Sequence, residues 1–128
     1  VTKRSTVVRK LDSIFSKYIR LKYAKAGKVD CYTCGVVKSV SEMQAGHFQS
    51  RAKYSVRWDE DNVRPQCAGC NMRNGGQQYV FGQRLNEERS GLADEIVQKS
   101  NQIRKFSTPE LLEMYDDFRE RVLGLSSE

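Results

Sequence analysis

Apolar residues near the start of the chain recur at spacings of three and four: Val7, Val8, Leu11, Ile14, Phe15, Tyr18 and Ile19. That period puts them on one face of a helix, with Gly27 as a natural C-terminal stop. Arg9, Lys10, Lys17 and Arg20 fall off the stripe, so the helix offers one face to a core or a partner and another to something acidic. Residues 29–76 lose the helical period and break into short apolar pieces among cysteine and glycine. Within them residues 43–48 and 62–66 read as strands, and Pro65 confines the second to an edge or irregular position. Helical pattern resumes near Asn71, with Tyr79, Val80, Phe81 and Leu85 as core candidates. Gly91 interrupts it, and Leu92, Ile96, Val97 and Ile103 mark a further helix. In the last helix Thr108 is the expected cap, Pro109 fits the first helical position and Glu110 suits the positive end of the dipole. Leu111, Tyr115, Phe118 and Val122 form its stripe, and Gly124 is its expected end.

These patterns predict an α+β, mostly helical fold in a single domain of 128 residues: a basic N-terminal helix (1–28), a cysteine-stapled centre (29–76) and C-terminal helices (77–128). Charge sharpens the picture. Residues 1–28 carry nine basic side chains and one acidic, Asp12, whereas residues 109–128 carry six acidic and two basic. With a net charge of +6, the basic arm suits a polyanion such as nucleic acid, although a solvated helix face would look the same. No apolar run approaches the ~20 residues of a membrane span and no signal-peptide core is present, so a cytoplasmic protein is expected.

Cys31-Tyr-Thr-Cys34 and Cys67-Ala-Gly-Cys70 are two Cys-x-x-Cys knuckles with residues 35–66 between them. Two residues between cysteines let a tight turn present both thiolates to one ion, and two such turns complete a tetrahedral site. Gly35 relaxes the first turn. Structural zinc is the expected occupant; a redox pair would need only one knuckle, and nothing suggests an iron–sulfur partner. Four thiolates leave no open position for water, so this metal would be a staple.

His47, the sole histidine, lies between the knuckles in Gln44-Ala-Gly-His-Phe48. A spare metal ligand, a packed core side chain and a catalytic base are its candidate roles. The full cysteine quartet makes the first unnecessary. Arg51, Asn62 and Asn71 follow it in the chain.

The order His47, Asn62, Asn71 resembles the HNH (ββα-metal) nucleases, with asparagine in place of the final histidine. The segments "AGHFQSR" and "NVRPQCAGCNMRNGG" are similar to the NinG recombination proteins of lambdoid phages. The similarity is specific over residues 31–76 and general in the flanking helices. It implies a central ββα-metal core stapled by zinc on Cys31, Cys34, Cys67 and Cys70. It also implies a metal-dependent DNA endonuclease leaving 5′-phosphate and 3′-hydroxyl ends. His47 would be the general base, Asn71 the ligand of a catalytic Mg2+ or Mn2+, and Asn62 a brace for the histidine loop. Arg51 is the candidate phosphate clamp, with Arg64 or Arg73 behind it. The substrate would be branched recombination DNA such as Holliday junctions or displacement loops, in a bacterial or phage-infected cytoplasm. A homodimer would supply two active sites, with the α-helical stripe at the N-terminus as one possible contact. Many HNH enzymes place an aspartate before the base, where this chain has Gly46; Asp59 or Asp61 are the candidate substitutes, and weak metal affinity is expected. The alternative is a non-catalytic zinc module that binds nucleic acid. Trp58 and Tyr54 are read as core residues rather than base-stacking ones.

Overall fold

In the computed structural model, which describes residues 3–126, the elements run α1 (Arg4–Lys22), β1 (Lys28–Asp30), β2 (Val37–Ser39), β3 (Gln44–His47), α2 (Tyr54–Arg57), β4 (Val63–Gln66), α3 (Gln78–Glu88), α4 (Leu92–Ser100) and α5 (Thr108–Ser126). The fold is α+β and mostly helical. The stripe of α1 buries Val7, Leu11, Phe15, Tyr18 and Ile19, and α5 lays Leu111, Phe118 and Val122 against it. Phe118 meets Phe15 edge-on with ring centroids 5.0 Å apart and Tyr18 at 5.3 Å. The apolar face of α1 is therefore covered within the chain. Trp58 belongs to the same core, against Tyr54 and Phe106.

Both ends of α5 differ from expectation. The Glu110 N–H donates to Ser107 Oγ at 3.2 Å and the Ser107 N–H to Glu110 Oε1 at 3.1 Å, a reciprocal capping box that makes Ser107, not Thr108, the cap. The helix then continues through Gly124 to Ser126. One interior glycine costs about 1 kcal/mol, too little to stop a helix whose neighbouring Val122 is buried.

Two antiparallel strand pairs sit on the helices. β1 pairs with β2, and β3 with β4 in the register Gln44↔Gln66, Ala45↔Pro65, Gly46↔Arg64, His47↔Val63. Both strands of a two-stranded sheet are edges, so Pro65 costs no ladder bond; its carbonyl accepts the Tyr32 N–H at 2.8 Å. A second apolar cluster gathers Val56, Phe81, Leu85, Leu92, Ala93 and Ile96 from α2, α3 and α4.

The helix expected from Asn71 is interrupted. Gly69–Arg73 forms a single π-helical turn, and Gly75, Gly76 and Gln77 then take positive φ of 61°, 80° and 51° before α3 begins. Successive left-handed residues cannot continue a right-handed helix. Tyr79, an expected core residue, is 79% exposed, because α3 turns Phe81 and Leu85 inward instead. α4 likewise buries Leu92, Ala93, Ile96 and Ser100, leaving Val97 at its rim and Ile103 beyond its end. Among the described residues no helix is long and apolar enough to cross a membrane.

Candidate functional site

The two knuckles converge. Cys31 follows β1, Cys34 sits in the β1–β2 turn, Cys67 follows β4, and Cys70 lies in the π-helical turn. Their four Sγ atoms lie within 4.8 Å of one another, with Cys34 and Cys67 Sγ 3.7 Å apart. A tetrahedron of ~2.3 Å metal–sulfur bonds has sulfur–sulfur edges of about 3.8 Å, so the cluster can hold one metal ion such as zinc. The first turn is closed by the Gly35 N–H on Cys31 O at 2.9 Å, with Gly35 at a φ of 82° that favours glycine. Burial pushes the Cys31 thiol up, but hydrogen bonds from the Cys67 and Cys34 backbone and from Thr33 outweigh it and bring it down to about 6. Burial and the neighbouring sulfurs push Cys70 up to about 12. One thiolate is thus favoured and a crowd of them is not, a conflict that a divalent cation resolves.

A cleft of about 710 Å³ opens beside this cluster, between α1, β3 and the π-helical turn; Asp12, Arg20, Gln44, His47, Arg51 and Asn71 are among its walls. His47 Nε2 lies 2.9 Å from the Arg57 carbonyl oxygen. A carbonyl only accepts, so Nε2 carries the hydrogen and Nδ1 keeps its lone pair, with no partner among the described residues. Burial lowers the His47 pKa from the ordinary 6.5, aided by the charge of Arg51 and opposed by the Arg57 carbonyl and Asp12. The imidazole is therefore neutral at pH 7. Asn71 Nδ2 donates to Gln44 Oε1 at 2.7 Å, which orients the carboxamide and leaves Asn71 Oδ1 available.

Asn62 is fully buried. Its Oδ1 accepts the Gln49 N–H at 2.7 Å, and its Nδ2 donates to the Gln49 and Val56 carbonyls, both at 3.0 Å. These bonds pin both ends of the segment between β3 and α2 that carries Arg51. Arg57 holds the same segment from outside: its Nη1 donates to Arg51 O at 3.2 Å. Its Nη2 and Nε meet Asp12 Oδ2 and Oδ1 at 2.6 and 3.0 Å, and the Trp58 indole N–H donates to Asp12 Oδ1 at 2.9 Å. Asp12 on α1 thereby fixes the residue whose carbonyl fixes His47.

A family model described as Bacteriophage Lambda NinG protein matches residues 1–128. The chain belongs to the NinG family. Protein ninG of Salmonella phage P22 is 24% identical over 96 residues, which are 74% of this chain and 47% of that protein. The NinG-family chain described here thus spans about half the length of the curated relative it matches. No solved structure matches.

Not every candidate in this NinG chain reaches the cleft. Arg64 is 3% exposed and does not line the cleft; its Nη2 and Nε bind Glu88 at 3.0 and 3.1 Å and its Nη1 binds the Glu60 carbonyl at 2.6 Å, so it is committed to the interior and not to a phosphate. Arg73 is exposed but does not line the cleft. Asp59 is engaged with Lys99 at 2.6 Å and Asp61 faces Arg89 at 3.7 Å, and neither lines the cleft. The carboxylate that does is Asp12, which the sequence showed only as a lone acid in a basic helix. Arg57 and Gln44 were missed as well; their roles run through a backbone carbonyl and an amide pair, which leave no mark in the sequence.

Gly46 has a local reason. A Cβ there would lie 1.8 Å from Gln66 Oε1, because the fully buried Gln66 side chain occupies that space. Gln66 Nε2 donates to Thr33 Oγ1 at 3.0 Å and Gly76 O at 2.9 Å, while its Oε1 has no hydrogen-bond partner among the described residues.

Two outcomes follow for measurement. Gly46→Ala should cost about 1–3 kcal/mol in urea denaturation by overpacking, and less when introduced into a Gln66→Ala background. An equal loss in both backgrounds would show that Gln66 is not the obstacle. Elemental analysis should find one zinc per chain, and Cys34→Ser should lower the zinc content and the melting temperature together.

Proposed function

We propose that this chain is a metal-dependent DNA endonuclease of the ββα-metal type. The observation that carries the reading is the single histidine, neutral and with Nδ1 unengaged, in the same cleft as Asn71 and Arg51. Membership of the NinG family supports it, and of the residues that carry the HNH resemblance His47 and Asn71 line this cleft while Asn62 is buried outside it, bracing the segment that carries Arg51.

A water molecule in the cleft gives its proton to His47 Nδ1 as its oxygen attacks phosphorus. The Nε2–H bond to Arg57 O strengthens as the ring becomes positive, so the carbonyl stabilises the product of that transfer. Arg51 meets the non-bridging oxygens, where negative charge accumulates. The P–O3′ bond breaks, leaving a 5′-phosphate and a 3′-hydroxyl. A magnesium or manganese ion, when bound, supplies the positive charge that offsets the phosphate and the departing oxygen. Asn71 Oδ1 would hold it; this is an oxygen donor of the kind such ions prefer, and one neutral ligand makes for weak affinity. Asp12 shares the cleft but already accepts three hydrogen bonds. Lys10, Lys17 and Arg20 on α1 run along the helix towards the cleft and suit an approaching phosphate backbone. Branched recombination intermediates are the proposed substrates, in the cytoplasm of a phage-infected host.

The test is cleavage of linear, nicked and four-way-junction DNA with magnesium or manganese. His47→Ala should cut about 10²–10⁴ times more slowly. Because the base must be unprotonated and its pKa lies below 6.5, the rate should rise with pH through a limb below 6.5 and level off above it. Unchanged cutting by His47→Ala would remove the mechanism. Salt-sensitive binding without cutting by the wild type would make the chain a zinc-containing nucleic-acid-binding module instead.

A further inference from the structure

The segment carrying Arg51 also contributes to a second cleft. Arg51 lines the first; Ala52, Lys53 and Tyr54 line the second, a space of about 660 Å³. Its other walls are Arg4 at the start of α1 and the loop between α4 and α5, including Ile103, Arg104 and Lys105. Four of the lining side chains are cationic and none is acidic. Arg104 pairs with Glu110 at 2.7 Å and lies over the Phe106 ring at 4.1 Å. The other three have no ion-pair partner among the described residues. Arg4 is held in place instead, its Nη1 donating to the Phe106 carbonyl at 2.6 Å. Ile103 stands among these cations 90% exposed.

Unpaired cations around a concave surface set up a positive potential that favours an anion. Three of them, from three separate chain segments, suit successive charges along a polymer better than one small ion. The exposed isoleucine adds an apolar surface, which a base or deoxyribose can cover and a free phosphate cannot. We infer that the cleft of Arg4, Lys53 and Lys105 is a second nucleic-acid site, holding the backbone of a DNA strand other than the one being cut. The inference rests on the nuclease reading of the first cleft and extends it. Two separate clefts lined by neighbouring residues of one pinned segment can hold two strands at once, so a branch satisfies both and a linear duplex satisfies one.

The experiment measures binding of a labelled four-way junction and a linear duplex of equal length, with calcium in place of magnesium. Wild type is compared with Lys53→Gln/Lys105→Gln over a salt series, after zinc content and melting have been matched. For the junction, Kd should rise about tenfold and the salt slope should fall by about 2, one unit for each lost phosphate contact. The duplex should change by less than about twofold, and Lys53→Arg/Lys105→Arg should bind like wild type. Unchanged junction affinity and slope would overturn the second site while leaving the nuclease reading intact. An equal loss on junction and duplex would overturn its assignment to a separate strand. A wild type that binds neither DNA would overturn both readings.

Discussion

Four sulfur atoms held within 4.8 Å of one another are the constraint on which the centre of this protein depends. They tie the β1–β2 turn to the end of β4 and to the π-helical turn, and so close the 32-residue segment between the knuckles into a loop. Short strands of three and four residues cannot supply such closure themselves, since isolated strand pairs are marginal in water. A metal ion bound by the thiolates stabilises the folded arrangement directly, because no comparable site survives unfolding. The consequence reaches the cleft: β3 brings His47, and the turn holding Cys70 brings Asn71 one residue later.

A second layer of constraint sets the orientation of His47. The ring is held through the Arg57 carbonyl, the Arg57 side chain is held by Asp12, and Asp12 belongs to the helix packed on α5. The long helices therefore do more than shield a core; they fix the tautomer of a side chain on a separate sheet. Asn62 does the complementary work from inside, fastening the segment that carries Arg51 to the backbone at Gln49 and Val56. Gln66 fills the space a side chain at position 46 would need, so the glycine before the histidine is a packing requirement of this particular core.

Much of this was legible in the sequence, for identifiable reasons. The stripes of α1 and α5 repeat over several turns, and a Cys-x-x-Cys pair has few explanations, so helices, strand pair and cysteine cluster were all readable. Tyr79, Val97 and Ile103 misled because single apolar residues near helix ends carry no phase of their own. The break after Asn71 was signalled by Gly75-Gly76, but glycine marks a turn without saying that a π-helical turn precedes it. Arg64 was a phosphate-clamp candidate behind Arg51; its buried fork to Glu88 depends on a helix 24 residues later. Asp12 was visible as an oddity of charge, and only the packing of α1 beside α2 gave it a partner.

The proposed chemistry depends most directly on the orientation and charge of His47, and the chain contains no other histidine to obscure them. Nitrogen-15 NMR of the imidazole across a pH titration reports the tautomer and the midpoint in one series of spectra. The expected result is an Nε2–H tautomer, neutral at pH 7, titrating below the ordinary 6.5. A ring carrying its hydrogen on Nδ1, or a midpoint at or above 6.5, would contradict it.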